Sequence, residues 1–591
     1  MGLAFTIDSP IRVAQYGVDS VISIMDDDLI EKMRAYYSEK FKQPYEEISK
    51  KVEDFRAKRI TNYLNLVDKI VNEKFESFKK ELLQTKTSLE TFITTLPNES
   101  QLRKNLSELI ATGKDNFNEI KITLEQFFNP GSIDVNIMTK VDKDNFVNNE
   151  QLSVIYNDAH AALRGFANST TKSAVVFSAG MNPRLYSYLE TFDNFYPDAN
   201  GNFQKKIILK VSDFRSAMIQ GNFLAKKGLW VSEYRIESGL NCGGHAFATD
   251  GLLAGPILKE FKSKKEELIS SAFHLLEQAL RSKNKEVPIT PPTLKITYQG
   301  GVGTSEEHQF LITQYDIDSV GWGSPFLLVP EATSVDADTR KLLAKSTEND
   351  LYLSNISPLG VPFNTIKNTT NDFYKNQRIA LGKAGSSCPK KYLALTKEYD
   401  IEGSCTASKK YQDNKIEELL NEQEEFSEID FSNEMKKITE KACLCVGLAN
   451  ASHLELNIPI KGQAQGVIVC PGPNMAYFNQ EVSMKEMIHH IYGYKSVEIQ
   501  ENRPNVFIKE LQLYIDYFKN QLNEINDIQS AQIKKWGTFK NNLLQGIDYY
   551  KNLFEQNYFK NKRQISHQLE ECKVQLLNIE INIYEYREAS I

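Results

Sequence analysis

Two glycine clusters carry the most specific chemistry in this chain. Lys295-Ile296-Thr297-Tyr298-Gln299-Gly300-Gly301-Val302-Gly303-Thr304 reads as a strand that ends in glycines and runs into a helix. Backbone N–H groups with no covering side chain can approach an anion closely there. The next strand ends in Val320-Gly321-Trp322-Gly323-Ser324-Pro325-Phe326, where small residues and a hydroxyl can complete a phosphate cradle. Paired glycine-lined ends after two consecutive late strands are the phosphate site of a (β/α)8 barrel. A dinucleotide fold would instead want one G-x-G-x-x-G after an early strand and an acidic residue ~20 positions further on. That pattern is not clearly present. A plain tight turn is the competing reading of either cluster alone.

Thiols are the second concentration of chemistry. The seven cysteines are an odd and modest number, which argues against a secreted disulfide scaffold. Cys388, Cys405, Cys443, Cys445 and Cys470 fall in one stretch, next to glycine, proline or small residues, with Cys242 and Cys572 outside it. Such neighbours let a thiolate point out of a loop, and Cys388, Cys405, Cys443 and Cys445 are candidate ligands for an iron–sulfur cluster or a structural zinc. Their spacing matches neither a ferredoxin nor a C-x2-C…C-x2-C zinc pattern, so free, partly buried cysteines compete. Arg378, Lys383, Lys390, Lys391, Lys409 and Lys410 lie in the same stretch, either to meet an anion or as solvated surface.

The elements that must position these residues come in two grammars. Over 26–130 glycine is sparse, and Ile60, Leu64, Val67, Val71, Phe75, Phe78 and Leu82 recur at gaps of three and four, which predicts two or three long antiparallel helices. Asp26-Asp27-Asp28 supplies a cap and a negative first turn. After Pro504, Ile508, Leu511, Ile515, Phe518, Leu522 and Ile525 repeat the pattern, and a second helical hairpin is expected over 501–591. The simplest prediction is that the two apolar stripes bury each other or a copy of themselves in a homo-oligomer.

Between the helical blocks, short apolar runs at 174–178, 206–211, 229–236, 294–298 and 319–323 alternate with helical stretches at 184–191, 214–227, 256–282 and 305–314. Such alternation makes parallel units, as either a closed barrel or a doubly wound sheet. The expected organisation is a first strand region at 1–25, a helical insertion at 26–130, a barrel at 131–362, a Cys-rich cap or barrel completion at 363–500, and the C-terminal hairpin.

Composition narrows the partners. The 591 residues are 41% hydrophobic and 25% charged with a net charge of −7, as in ordinary soluble domains. Charges are interspersed, leaving no basic face to argue for nucleic acid. No signal-like start and no ~18-residue uncharged apolar run argue for a membrane, and a cytoplasmic protein is expected.

Gly300-Gly301-Val302-Gly303 followed by 318–326 resembles the paired phosphate motif of the nitronate monooxygenase (2-nitropropane dioxygenase) family and its enoyl-reductase relatives. Lys210-Val211, Ala225-Lys226-Lys227-Gly228 and Asn241-Cys242-Gly243-Gly244-His245 are similar to that family's strand, helix, strand and Gly-Gly-His run. Val175-Val176-Phe177-Ser178-Ala179-Gly180 looks like its earlier strand, and the likeness covers roughly 174–331, with a weaker echo at Ser9-Pro10-Ile11. The resemblance implies a TIM barrel that binds FMN non-covalently, with phosphate contacts at Gly300, Gly301, Gly321, Gly323 and Ser324. It further implies that Gly180, Lys210, Gly243 and Gly244 lie near the flavin and that His245 acts at the reacting face as a base or hydrogen-bond donor. A histidine can serve either role near neutrality.

The family's N-terminal Pro-Met element is missing, and Cys242 stands where the family has an acidic residue or alanine. These departures leave the small organic substrate open. The expected function is an FMN-dependent oxidoreductase of nitronate monooxygenase type. The alternatives are a flavin and iron–sulfur enzyme of glutamate synthase type, and a non-catalytic scaffold that displays its helices to a partner.

Overall fold

The computed structural model describes residues 4–112, 116–178, 180–243, 250–460, 466–497, 503–523, 530–556 and 561–588. Its centre is one parallel sheet of seven strands in strictly sequential order, curled as a half-barrel. The strands are β1 (Ser20–Ser23), β2 (Ile133–Ile137), β3 (Ser173–Phe177), β4 (Lys205–Val211), β5 (Val231–Glu237), β6 (Lys295–Gln299) and β7 (Ser319–Gly321). Parallel neighbours need a crossover. Helices Asp158–Ala167, Pro183–Tyr188, Phe214–Ala225, Ala254–Ser282 and Ser305–Tyr315 supply those from β2 onward. The alternating order expected from the sequence is therefore present. An eighth strand closing the expected TIM barrel does not occur in this sheet among the described residues.

Residue parity gives the sheet two unlike faces. Val135, Ile137, Val175, Phe177, Ile207, Leu209, Tyr234, Ile236, Ile296 and Tyr298 point into the main core beneath the helices. The opposite face has a small apolar layer of Ala174, Val176 and Ile208 against Val21, and otherwise carries buried polar side chains. Non-strand segments span the gap between the edge strands. Ser334 N–H donates to Phe5 O (2.8 Å), Ser9 Oγ–H to Ala332 O (2.6 Å) and the Arg12 guanidinium to Pro330 O (2.9 Å). Val13 and Val18 beside β1 share one apolar cluster with Trp322, Phe326 and Val329 beyond β7.

The helical blocks pack differently from expectation. Residues 26–130 form one long helix, Phe55–Leu82, with the shorter Asp27–Lys40, Lys86–Ile93, Gln101–Ala111 and Phe117–Phe127. The long helix lies on Asp158–Ala167, so closely that a Cβ on Gly165 would sit 2.8 Å from Ile60, and its far end forms a core of its own with Leu89, Phe92, Leu106 and Phe128. The C-terminal helices Val506–Asn523, Ser530–Glu555 and Lys562–Glu588 pack on one another and on the start of Ala254–Ser282, where Gly255 N–H donates to the Tyr550 hydroxyl (3.0 Å). Among the described residues, the first stripe is covered by helix Asp158–Ala167 and the shorter helices of its own block, and the second by its own helices and Ala254–Ser282. No helix among the described residues is long and apolar enough to cross a membrane.

Candidate functional site

The carboxyl ends of parallel strands are where sites form in α/β folds, because loops converge there while the other end is closed by packing. Here the paired register puts Ile137 beside Phe177, Val211 beside Ile236, Glu237 beside Gln299, and Gln299 beside Gly321. One rim therefore collects Gly180, Lys210, Glu237, Gly243, Gly300 and Gly321.

Buried polar groups line the face below that rim. Lys210 Nζ lies 3.3 Å from Glu237, whose carboxylate also accepts from Asn241 (2.7 Å) and from the Gln299 amide. One layer deeper, Arg235 pairs with Glu233 (2.8 Å) and faces Asp134 (3.7 Å), while the Thr297 hydroxyl donates to Glu233 (2.6 Å). Burial pushes the Asp134 carboxyl up to about 6, against the pull of Arg235. Sequence reading singled out only Lys210 of this set. The signal was available in β5, whose Val-Ser-Glu-Tyr-Arg-Ile-Glu puts charge at every second position of a buried strand.

The two glycine loops are locked side by side. Gly300 (φ +129°) and Gly301 (φ +78°) hold backbone conformations that L side chains avoid. A Cβ on Gly301 would lie 2.5 Å from Leu240, and one on Gly321 would lie 3.1 Å from Gln299 Cβ. The Trp322 indole N–H of the second loop donates to His308 Nδ1 (3.0 Å) on the helix that follows the first. Burial holds His308 down to about 4, so its ring stays a neutral acceptor. His490 donates to Gly303 O (2.9 Å), Asn474 to Val302 O (3.1 Å) and Arg503 to Gly301 O (2.9 Å). Gly303 N–H is already held by the buried Glu307 carboxylate, which forms a bidentate pair with Arg503. Gly303 N–H is therefore engaged within the protein rather than open at the rim.

The remaining candidates divide. Gly180 (φ +112°) lies under Lys140, and Thr139 Oγ1–H donates to its carbonyl (2.7 Å). Gly243 (φ +130°) follows Cys242, whose thiol donates to Cys470 O (3.3 Å) and contacts the Ser324 hydroxyl. Burial pushes that thiol up to about 12, and Cys242 packs within the main core. Gly244 and His245 lie outside the described residues.

The loop leading to them is pinned from the C-terminal helices. Gly239 N–H donates to the Tyr514 hydroxyl (3.1 Å), and Glu510 accepts from Ala254 N–H (2.8 Å). Burial pushes Glu510 up to about 8. Neither residue is distinguishable in sequence from the rest of an amphipathic stripe.

In the Cys-rich stretch all the thiols are free. Cys388 contacts Cys405, Cys443 contacts Cys445, and the two pairs face each other, while Cys470 lies apart against Cys242. Four of the basic residues of this stretch have partners within the protein. Lys390 pairs with Asp26, Lys409 with Asp413 and Lys410 with Asp400, and Arg378 donates to Gly385 O (2.7 Å).

Fold and rim together define an α/β protein with a curled parallel sheet and a polar, glycine-lined carboxyl-end rim. No family model matches the chain, and no curated protein does. Among solved structures, it is similar to the enoyl reductase domain of MlnA from the macrolactin biosynthesis cluster of Bacillus amyloliquefaciens. That likeness has 15% identity and a TM-score of 0.32, over 70% of this chain and 88% of the other.

Proposed function

We propose that the chain is an FMN-dependent oxidoreductase of nitronate monooxygenase-like type acting on a small organic substrate. The observation that supports this most is the in-register pairing of Gln299 with Gly321, which puts two glycine-lined turns next to each other at one rim. Gly300, Gly301, Gly321, Gly323 and Ser324 would hold the FMN phosphate through backbone N–H groups and a hydroxyl. Lys210, Gly180, Gly243 and Gly244 would border the flavin ring. When bound, FMN supplies the electron transfer, and the protein's work is to orient it, hold protons and exclude water. In this reading Glu237 fixes the Lys210 ammonium at the rim, and His245 handles the substrate proton.

The test is the absorbance spectrum of the purified full-length chain, with the cofactor released by denaturation and identified. FMN in the protein, with His245→Ala keeping the flavin but losing turnover in a nitronate or enoyl substrate screen, supports the assignment. Flavin retained with unchanged turnover removes His245 from the mechanism. A chain that neither carries nor takes up FMN refutes the flavin reading.

A further inference from the structure

We infer that Cys388, Cys405, Cys443 and Cys445 are the four ligands of an iron–sulfur cluster. This stands apart from the flavin reading and rests on where the fold brings four thiols that are distant in sequence.

Two separate pieces of scaffold deliver them. The turns that hold Cys388 and Cys405 are stitched together, with Ser386 N–H donating to Ala407 O (3.0 Å) and Lys409 N–H to Ser386 O (2.8 Å). The stitching is close enough that a Cβ on Gly385 would lie 2.7 Å from Lys409 Cα. Cys443 is the N-cap of helix Leu444–Glu455 and Cys445 lies in its first turn, with Ala442 N–H anchored on Ile356 O (2.9 Å). The two pairs meet in a largely buried space.

The surroundings suit thiolate ligands. Cys443 and Cys445 stand at the N-terminus of helix Leu444–Glu455. The positive end of a helix suits negatively charged ligands and is one of the features that tune cluster potentials. The buried Lys390 ammonium, paired with Asp26 at 2.5 Å, also acts on Cys445 and offsets negative charge.

The pairing of the thiols bears on the type of centre. A lone zinc needs its sulfurs about 2.3 Å from one point. Among the described residues no group of three or more His, Cys, Asp or Glu side chains is gathered to hold a single ion. Two contacting pairs that face each other suit a polynuclear cluster, in which each thiolate is a terminal ligand of one iron and inorganic sulfide bridges the irons. The centre also sits on the functional side of the sheet. Lys390 and Tyr392 dock on Asp26 and Asp27 just after β1, and Lys397 pairs with Asp144 after β2 (3.2 Å).

The experiment is iron, acid-labile sulfide and zinc analysis of the full chain purified anaerobically, with electron paramagnetic resonance after dithionite reduction. Expected are iron and sulfide in matching amounts and a signal on reduction. Cys443→Ser and Cys405→Ser should lose the iron, while Cys572→Ser, far off on the last helix, keeps it. Reconstitution of chelator-stripped wild-type protein with ferrous iron and sulfide provides a readout that needs no variant to fold. Wild-type protein that stays iron-free after reconstitution overturns the inference, as does zinc in place of iron or a disulfide within either pair. Iron without flavin would support the cluster and refute the flavin reading, so the two fail separately.

Discussion

A methyl group on Gly301 has nowhere to go, because φ is +78° and Leu240 Cδ1 would be 2.5 Å away. Gly301→Ala is expected to cost about 1–3 kcal/mol in thermal denaturation. It should also lower flavin content, since the turn that would meet the phosphate must shift. The ion pair beneath the rim gives a second test. Lys210→Met leaves the Glu237 carboxylate, 5% exposed, without its cation. Removing one partner of a buried pair is costlier than removing both. The double variant Lys210→Met, Glu237→Gln is therefore expected to melt above Lys210→Met alone, and a lower melting point would show that Asn241 and Gln299 suffice for Glu237. Glycines at strand ends could be read from sequence because few other uses explain two such clusters in succession. Glu237 and Gln299 could not, since their partners lie on different strands and only register brings them together.

At the scale of elements, helix Val506–Asn523 reaches across the molecule to cap helix Ala254–Ser282 with Glu510 and to hold the turn before Gly243 with Tyr514. Its carboxyl, pushed from 4.5 up to about 8 by burial, makes this contact sensitive to pH. A raised folded-state value means that the folded chain keeps a proton that the unfolded chain has lost. The associated stability is fully present below about pH 4.5 and is lost as pH rises through about 8. Glu510→Gln keeps an acceptor for Ala254 N–H, so it should match the wild type at low pH and become the more stable chain above pH 8, by up to roughly 5 kcal/mol. Parallel denaturation curves for the two chains across that range would contradict the burial of this acid. The helices themselves could be read from their three- and four-residue spacing. What they pack on could not, because an apolar stripe records that something covers it and not which surface does.

For the molecule as a whole, the alternation of strands and crossover helices was legible from β3 onward, because period-two and period-3.6 patterns alternate cleanly between 174 and 323. Strand β2 and the helix Asp158–Ala167 that follows it were not read. Nor was the closure. Segments 4–14 and 329–334 bridge the two edge strands through side chains and single hydrogen bonds, which leave no periodic trace. The same holds for the cap, where contacts such as Lys390 to Asp26 join residues hundreds of positions apart. With both edges bridged and the Cys-rich stretch lying over the loops after β1 and β2, the rim is partly covered rather than an open sheet end. The claim on which the functional reading depends is that Gly300, Gly301, Gly321 and Gly323 hold the phosphate of FMN. Its most direct measurement is FMN binding to flavin-stripped full-length protein, followed by flavin fluorescence, for the wild type and Gly301→Ala. Saturable binding of one FMN per chain, weakened at least tenfold by the substitution, or by about 1.4 kcal/mol, is the expected result. No binding to the wild type, or equal binding to a folded Gly301→Ala chain, would contradict it.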